Sequence, residues 1–314
     1  MAEARSAGSL PRRRDRGGRA GLLGAVCLAV FLPGCSFAVN RVGDALAGST
    51  GSTFASDDDP ELVAAAVPFG LKTIEALLAQ SPKHKGLLLA ACSGFTQYSY
   101  AFVQEQADYI EAQDLARATE MRVRAKKLYL RARDYGFRAF EVDTPGFRDQ
   151  LRKDPDAVLS RTSKAQVPLL YYTAASWAAA FAVDITDSSL SVDQTLFEKM
   201  MRRALALDES WGGGSLHDFL LSWEAGHASA GGSIEQAKKH YERSRKLSSG
   251  QRVSPLVSYA ESIAVAERDR KTFEALLNEA LEFDPAKSSP ENKLANVVAQ
   301  RRAKWLLGRA DDLF

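Results

Sequence analysis

The residue of this chain best placed for covalent chemistry is Cys35, which ends Leu32-Pro33-Gly34-Cys35. Small residues before a cysteine let a peptidase reach the backbone, and the freed N-terminal cysteine offers its thiol to diacylglycerol. The preceding segment fits that processing. Arg5, Arg12, Arg13, Arg14, Arg16 and Arg19 form a basic start, and an apolar run follows from Ala20 to Phe31. Spanning a bilayer takes roughly 20 apolar residues, so this run reads as the core of a signal peptide. One acyl chain holds only marginally, and a stable anchor takes at least two. The pattern predicts a signal peptide over residues 1–34, a lipidated Cys35 and a mature chain tethered to a membrane outside the cytoplasm. No apolar pair closely follows Arg13-Arg14, which argues against twin-arginine export.

Elsewhere the chemistry is sparse. The four histidines are His84, His217, His227 and His240. His217 and His227 do not share one helical face as ligands, and His240 falls in a Lys-rich stretch read as exposed. None has a carboxylate orienter evident in sequence. HExxH and GxSxG are both absent. The acids sit in solvated helical patterns, so no general acid–base pair is indicated. An enzyme is disfavoured, and neither a cofactor nor a metal is predicted. Trp211-Gly212-Gly213-Gly214-Ser215 lacks Gly-Lys-Ser/Thr and follows no strand, so it reads as a loop leading to a helix cap at Ser215. Cys27 leaves with the leader and Cys92 stands alone in an apolar helix, which leaves no intramolecular disulfide. With residues 1–34 removed, the chain's 41 basic and 39 acidic residues fall to 35 and 37. That balance gives no nucleic-acid footprint.

Aromatic residues are the better lead to a binding surface. Tyr98 and Tyr100 cluster with Phe95 and Phe102; Tyr171, Tyr172 and Trp177 cluster with Phe181; Trp211 and Trp223 follow. Aromatics at helical spacing usually pack a core. Those on the concave side of a solenoid would line a groove for a peptide, a partner helix or an amphipathic ligand.

The elements that must position these residues are helical. Residues 35–56 are rich in Gly, Ser, Thr and Ala and read as a flexible tether, followed by a helical domain over 57–314. Asp59 suits an N-cap and Pro60 the first helical position. Beyond Pro60, apolar residues recur at three- and four-residue steps, which predicts about ten to twelve helices. Ser233 with Gln236 reads as a capping box, and Ser254-Pro255 as a cap with Pro at N1.

The helices repeat. Ala125 to Arg133 matches Ala237 to Arg245 at six of nine positions, and Phe197, Ala204 and Asp208 recur as Phe273, Ala280 and Asp284. Aligning Ala204, Ser244 and Ala280 gives steps of 40 and 36 residues, the range of helix-pair repeats. In each match a small residue (Ala125, Ala237) admits a partner helix, an aromatic (Tyr129, Tyr241) fills the next turn, and a small residue (Ala132, Ser244) follows. The partner helices fall at Gly86–Tyr109, Val167–Val183, Leu216–Ala228 and Pro255–Ala266. The fold class expected is all-α, a helical-hairpin, tetratricopeptide-like repeat solenoid. Val142–Gln166 is too long for an inter-repeat turn and should hold a short helix of its own.

With the lipidation motif at Cys35 stand several further signatures: Asp57 to Val63, Gly94 to Phe102, Val167 to Tyr172, Ser258 to Ser262, and the ending Ala303 to Phe314. On these the mature chain resembles the T component associated with tripartite ATP-independent periplasmic (TRAP) transporters, often called TatT. The resemblance implies an all-α protein with tetratricopeptide-like repeats, a homotrimer with a central pore, and a hydrophobic cleft in each protomer. It also implies association with the transporter's periplasmic solute-binding protein and the handling or relay of a small, hydrophobic ligand. Its motifs are structural, so no ligand-contacting residue carries over. The alternative is a general envelope-assembly or peptide-binding scaffold lipoprotein without a transporter role. Ser36 and Phe37, with no Asp after Cys35, point to the outer membrane for the anchor.

Overall fold

The computed structural model describes residues 53–314. Cys35, the leader and most of the tether lie outside them. Helix α1, Pro60–Gln80, opens as its residues dictate: the Asp59 carboxylate accepts from the Leu62 N–H at 2.9 Å, and Pro60 occupies the first turn. It lies on α2, Lys85–Ser99, through Val63, Leu71, Ile74 and Leu78.

Four antiparallel helix hairpins follow. The first arm of hairpin one is α2, a π-helical turn over Tyr100–Gln104 and α3, Glu105–Ile110; its second arm is α4, Leu115–Asp143. Two short helices, α5 (Phe147–Lys153) and α6 (Pro155–Ser160), fill the long connection that the spacing singled out. Hairpin two pairs α7, Val167–Ala182, with α9, Gln194–Leu207, across the single turn α8, Ser188–Ser191. Hairpin three pairs α10, Ser215–Gly226, with α11, Ile234–Ser248. In hairpin four, α12 (Ser254–Tyr259) and a second π turn (Ala260–Ala264) pack on α13, Arg270–Glu282. A last long helix, α14 (Lys293–Leu307), and the short α15 (Ala310–Leu313) end the chain. The described residues thus hold fifteen α-helices and no strand, an all-α helical-repeat fold. The excess over ten to twelve comes from one-turn pieces and from the two π interruptions, which apolar periodicity cannot register.

Two sequence readings shift in register. Gly214, not Ser215, caps α10, and Val253, not Ser254, caps the helix carrying Pro255. Gly212, Gly213 and Gly214 all take left-handed φ (61°, 58° and 100°). Only glycine adopts this conformation cheaply three times running. The Arg252 guanidinium holds the loop by donating to the carbonyls of Gly212 and Gly213 at 3.2 and 3.1 Å.

The second arms bury equivalent positions. Ala125, Tyr129, Ala132, Ala204, Ala237, Ser244 and Ala280 are fully buried, as are Phe197 and Phe273. Tyr241 is half-buried, its ring tilted against Tyr259 at 4.7 Å, so it fills less of its repeat than Tyr129 does. Helices α4 and α7 approach closely at Gly136, where a Cβ would stand 2.1 Å from Thr173 Oγ1 and 2.9 Å from its Cβ. Thr173 is fully buried and donates to the Leu169 carbonyl, so it cannot retreat. Gly136→Ala is therefore expected to destabilise by about 3 kcal/mol. Chemical denaturation measures this, and adding Thr173→Ala should recover most of the loss.

Candidate functional site

The repeat array curls until its end meets its beginning. Helix α14 crosses from hairpin four to the first arm of hairpin one, where Tyr109 and Trp305 pack at 5.5 Å. Arg301 and Lys293 reach back to Glu61 and Asp58 at 2.6 Å each. These exposed pairs contribute little by themselves. What lies behind them is buried.

Arg302, 9 % exposed, stands on α14 between the two π turns. Its guanidinium grips the Glu261 carboxylate of the second π turn and donates to Asp108 of α3 at 3.0 Å. Asp108 also accepts from Arg122 at 2.8 Å, and Arg122 makes two bonds to Glu111 at 2.8 and 3.0 Å. Glu105, 2 % exposed, follows the first π turn and accepts from the Tyr109 hydroxyl at 3.0 Å and from Tyr100. Tyr129 donates to Gln104 of the same turn at 2.6 Å. The two π turns among the described residues therefore face one polar cluster, and wide turns of this kind concentrate at functional sites. Beside the cluster opens a recess of about 270 Å³ with Val265, Leu306 and Leu313 among its apolar lining and Asp108, Glu261 and Arg302 among its polar groups. Trp305 forms part of its wall, with Arg302 and Arg309 over the ring at 4.3 and 4.9 Å.

Burial pushes the Glu105 carboxyl up to about 7, against the pull of Arg302. A group whose pKa is raised on folding contributes stability below its ordinary value of 4.5 and loses it as pH rises through about 7. Glu105→Gln keeps an acceptor for Tyr109 and removes the charge. Melting curves from about pH 5 to pH 8 should show the wild type losing about 2 kcal/mol that the variant retains.

The candidate groove aromatics divide. Tyr171, Tyr172 and Trp211 come together as one half-buried box, with ring separations of 4.8, 5.0 and 5.9 Å. Tyr98 packs on Phe102 at 5.9 Å with Arg124 over its ring. Tyr100 is 48 % exposed, with its hydroxyl engaged by Glu105. Trp223 stacks on His227 at 3.6 Å. Trp177 is wholly buried between Phe137 and Phe197, so it belongs to the core and not to a groove.

The histidines correct the sequence reading in two respects. His240 is not exposed: its Nδ1 lies 2.7 Å from Nδ1 of His217. His217 does have a carboxylate partner, Glu209, at 3.1 Å. Burial, and then the neighbouring His217, push His240 down to about 4. No group of three or more His, Cys, Asp or Glu is placed to hold a metal among the described residues. Burial raises the Cys92 thiol to about 12, where it is unreactive as a nucleophile.

A curl of helix hairpins closed on a partly buried ion cluster marks this chain as a helical-repeat protein by architecture. The family model "TRAP transporter T-component" matches residues 56–314, and the chain belongs to that family. It is also 33 % identical over 266 residues to an uncharacterised protein of Treponema pallidum (strain Nichols), covering 83 % of this chain and 82 % of that protein. Family membership makes the chain a transporter-associated component.

Proposed function

We propose that the mature chain is a lipid-anchored periplasmic protein that associates with a TRAP-type solute-binding protein and helps hand on a small, hydrophobic ligand. The family match over residues 56–314 carries the transporter association. The anchor rests on Leu32-Pro33-Gly34-Cys35 and the leader before it. The ligand role rests on the recess at Trp305, where Val265, Trp305, Leu306 and Leu313 offer apolar contact beside the charged groups of Asp108, Glu111, Glu261, Arg302 and Arg309, a mixed lining suited to a small amphipathic molecule. A tetratricopeptide-like ancestry of the hairpins and assembly as a homotrimer belong to the same proposal, as does anchoring at the outer membrane.

The test is a calorimetric titration of the purified mature chain with the solute-binding protein encoded for the same transporter. Saturable binding is expected. No binding at micromolar concentrations would remove the transporter role and leave the general scaffold reading. Cys35→Ala should convert the protein from detergent-extractable to salt-extractable in membrane fractions. Retention through a salt wash would contradict lipid anchoring.

A further inference from the structure

Helix α1 is long and apolar enough by composition to cross a membrane. Yet it packs one face on α2 and leaves the other to solvent. On that outer face Phe69 is 79 % exposed and Leu62 58 %, with Ala65, Ala66 and Ala76 exposed beside them. An apolar row of this kind on a folded domain marks an interaction surface.

The neighbouring helix indicates which. Helix α4 carries eight Lys and Arg against four acids, in a mature chain that is slightly acidic overall. Arg117, Arg124, Arg131 and Arg138 recur every seven residues and are all exposed, with Lys127 between them. They form one stripe down the helix. The acids on that face are few and taken: Glu120 pairs with Arg117 at 2.9 Å, and Asp134 with Arg133 at 2.9 Å. Glu75 joins the two helices. It accepts from Lys72 of α1 at 2.7 Å and from Tyr135 of α4 at 2.6 Å, and it pairs with Arg131. Phe69 stands one turn from Lys72. Along the stripe runs a shallow trough of about 370 Å³ lined by Lys127, Leu130, Arg131, Asp134, Tyr135 and Arg138.

We infer that the α1–α4 face lies on an anionic lipid surface. This rests on the membrane-anchored reading above. Exposed apolar residues beside a basic stripe are what an interfacial protein presents to acidic headgroups. Continuity of the chain points the same way, because Cys35 and the tether lead directly into α1. A lipidated Cys35 would therefore deliver this face to the bilayer. The face adds a second, weaker attachment that fixes how the domain sits on the membrane, with the α14 recess on a different helix pair. A protein partner for the stripe alone would leave the apolar row of α1 unexplained.

The experiment uses the full mature chain carrying Cys35→Ser, so that no acyl chain contributes. It is mixed with phosphatidylglycerol–phosphatidylethanolamine vesicles or with phosphatidylcholine vesicles and sedimented. Binding to the anionic vesicles alone, abolished by high salt, is expected. Arg124→Glu with Lys127→Glu spares the Glu75–Arg131 pair and should lower the partition coefficient about 30-fold or more, since each basic residue near such a surface is worth about a factor of five. Phe69→Asp should also weaken binding, with melting temperature unchanged. Equal binding to both lipids, no binding, or variants that bind like the parent would each overturn the inference. So would an oligomer abolished by Phe69→Asp that leaves vesicle binding absent, because the occupant would then be another copy of the chain. These outcomes are separable from failure of the transporter reading, which is decided by the solute-binding protein titration and needs no lipid.

Discussion

Tyr129→Ala should destabilise the protein by about 3–5 kcal/mol, the cost of emptying a fully buried aromatic site. Tyr129 packs inside hairpin one, and its hydroxyl donates to Gln104 at 2.6 Å, so truncation opens a cavity and also strands a polar group in the first π turn. Tyr129→Phe removes only the hydrogen bond and should cost about 1–2 kcal/mol. Tyr241→Ala, at the corresponding position of hairpin three, should cost clearly less than Tyr129→Ala because Tyr241 is half-buried. Urea denaturation of the three variants checks the order. Near-wild-type stability of Tyr129→Ala would contradict the packing role of this position.

Arg302→Ala should be nearly as severe, at about 2–3 kcal/mol, since Glu261 keeps partial access to water. Removing one partner of a buried pair leaves the other charged and unpaired. Here Glu261 loses its cation, Asp108 keeps only Arg122, and Glu105 loses the charge that holds its carboxyl down. The Glu105 carboxyl should therefore rise further above its ordinary range in the variant. Arg302→Lys should restore only part of the loss, because an ammonium cannot reproduce the forked contact with Glu261 and Asp108. Urea denaturation at neutral pH gives the magnitude. Carbon-detected titration of Glu105 gives the direction. A variant as stable as wild type would show that the α14 crossing does not hold the curl closed.

What could be read along the chain was local. Asp59 and Ser233 announced their helices because a cap needs only its next three residues, and both accept the N–H expected of them; the capping box read at Ser233 is only half formed, because the Ser233 N–H donates to Glu224 and not to Gln236. The arms of the hairpins were legible because small-aromatic-small spacing survives where Ala125, Tyr129 and Ala132 must fit between helices. The polar cluster was not legible. Arg302 and Asp108 are 194 residues apart, and no local pattern links them. The segments around Tyr100 and Tyr259 stood out as family signatures, but nothing in their local residue types marked a π turn, which depends on the contacts each turn makes across the fold. His217 and His240 were hidden likewise. Lysines surround His240 in sequence, yet its own side chain turns inward across the α10–α11 hairpin. Trp177 read as a groove candidate only because sequence does not say which face of α7 is enclosed, and Phe137 and Phe197 enclose it.

The transporter association is tested most directly by a crosslinked pull-down of the protein from its native cells, with mass spectrometry of the recovered proteins and bound small molecules. A periplasmic TRAP solute-binding protein is expected among the crosslinked partners, together with a small amphipathic molecule. Recovery of envelope-assembly or cell-wall proteins alone would contradict the association, and the family relationship would then describe ancestry and not present function.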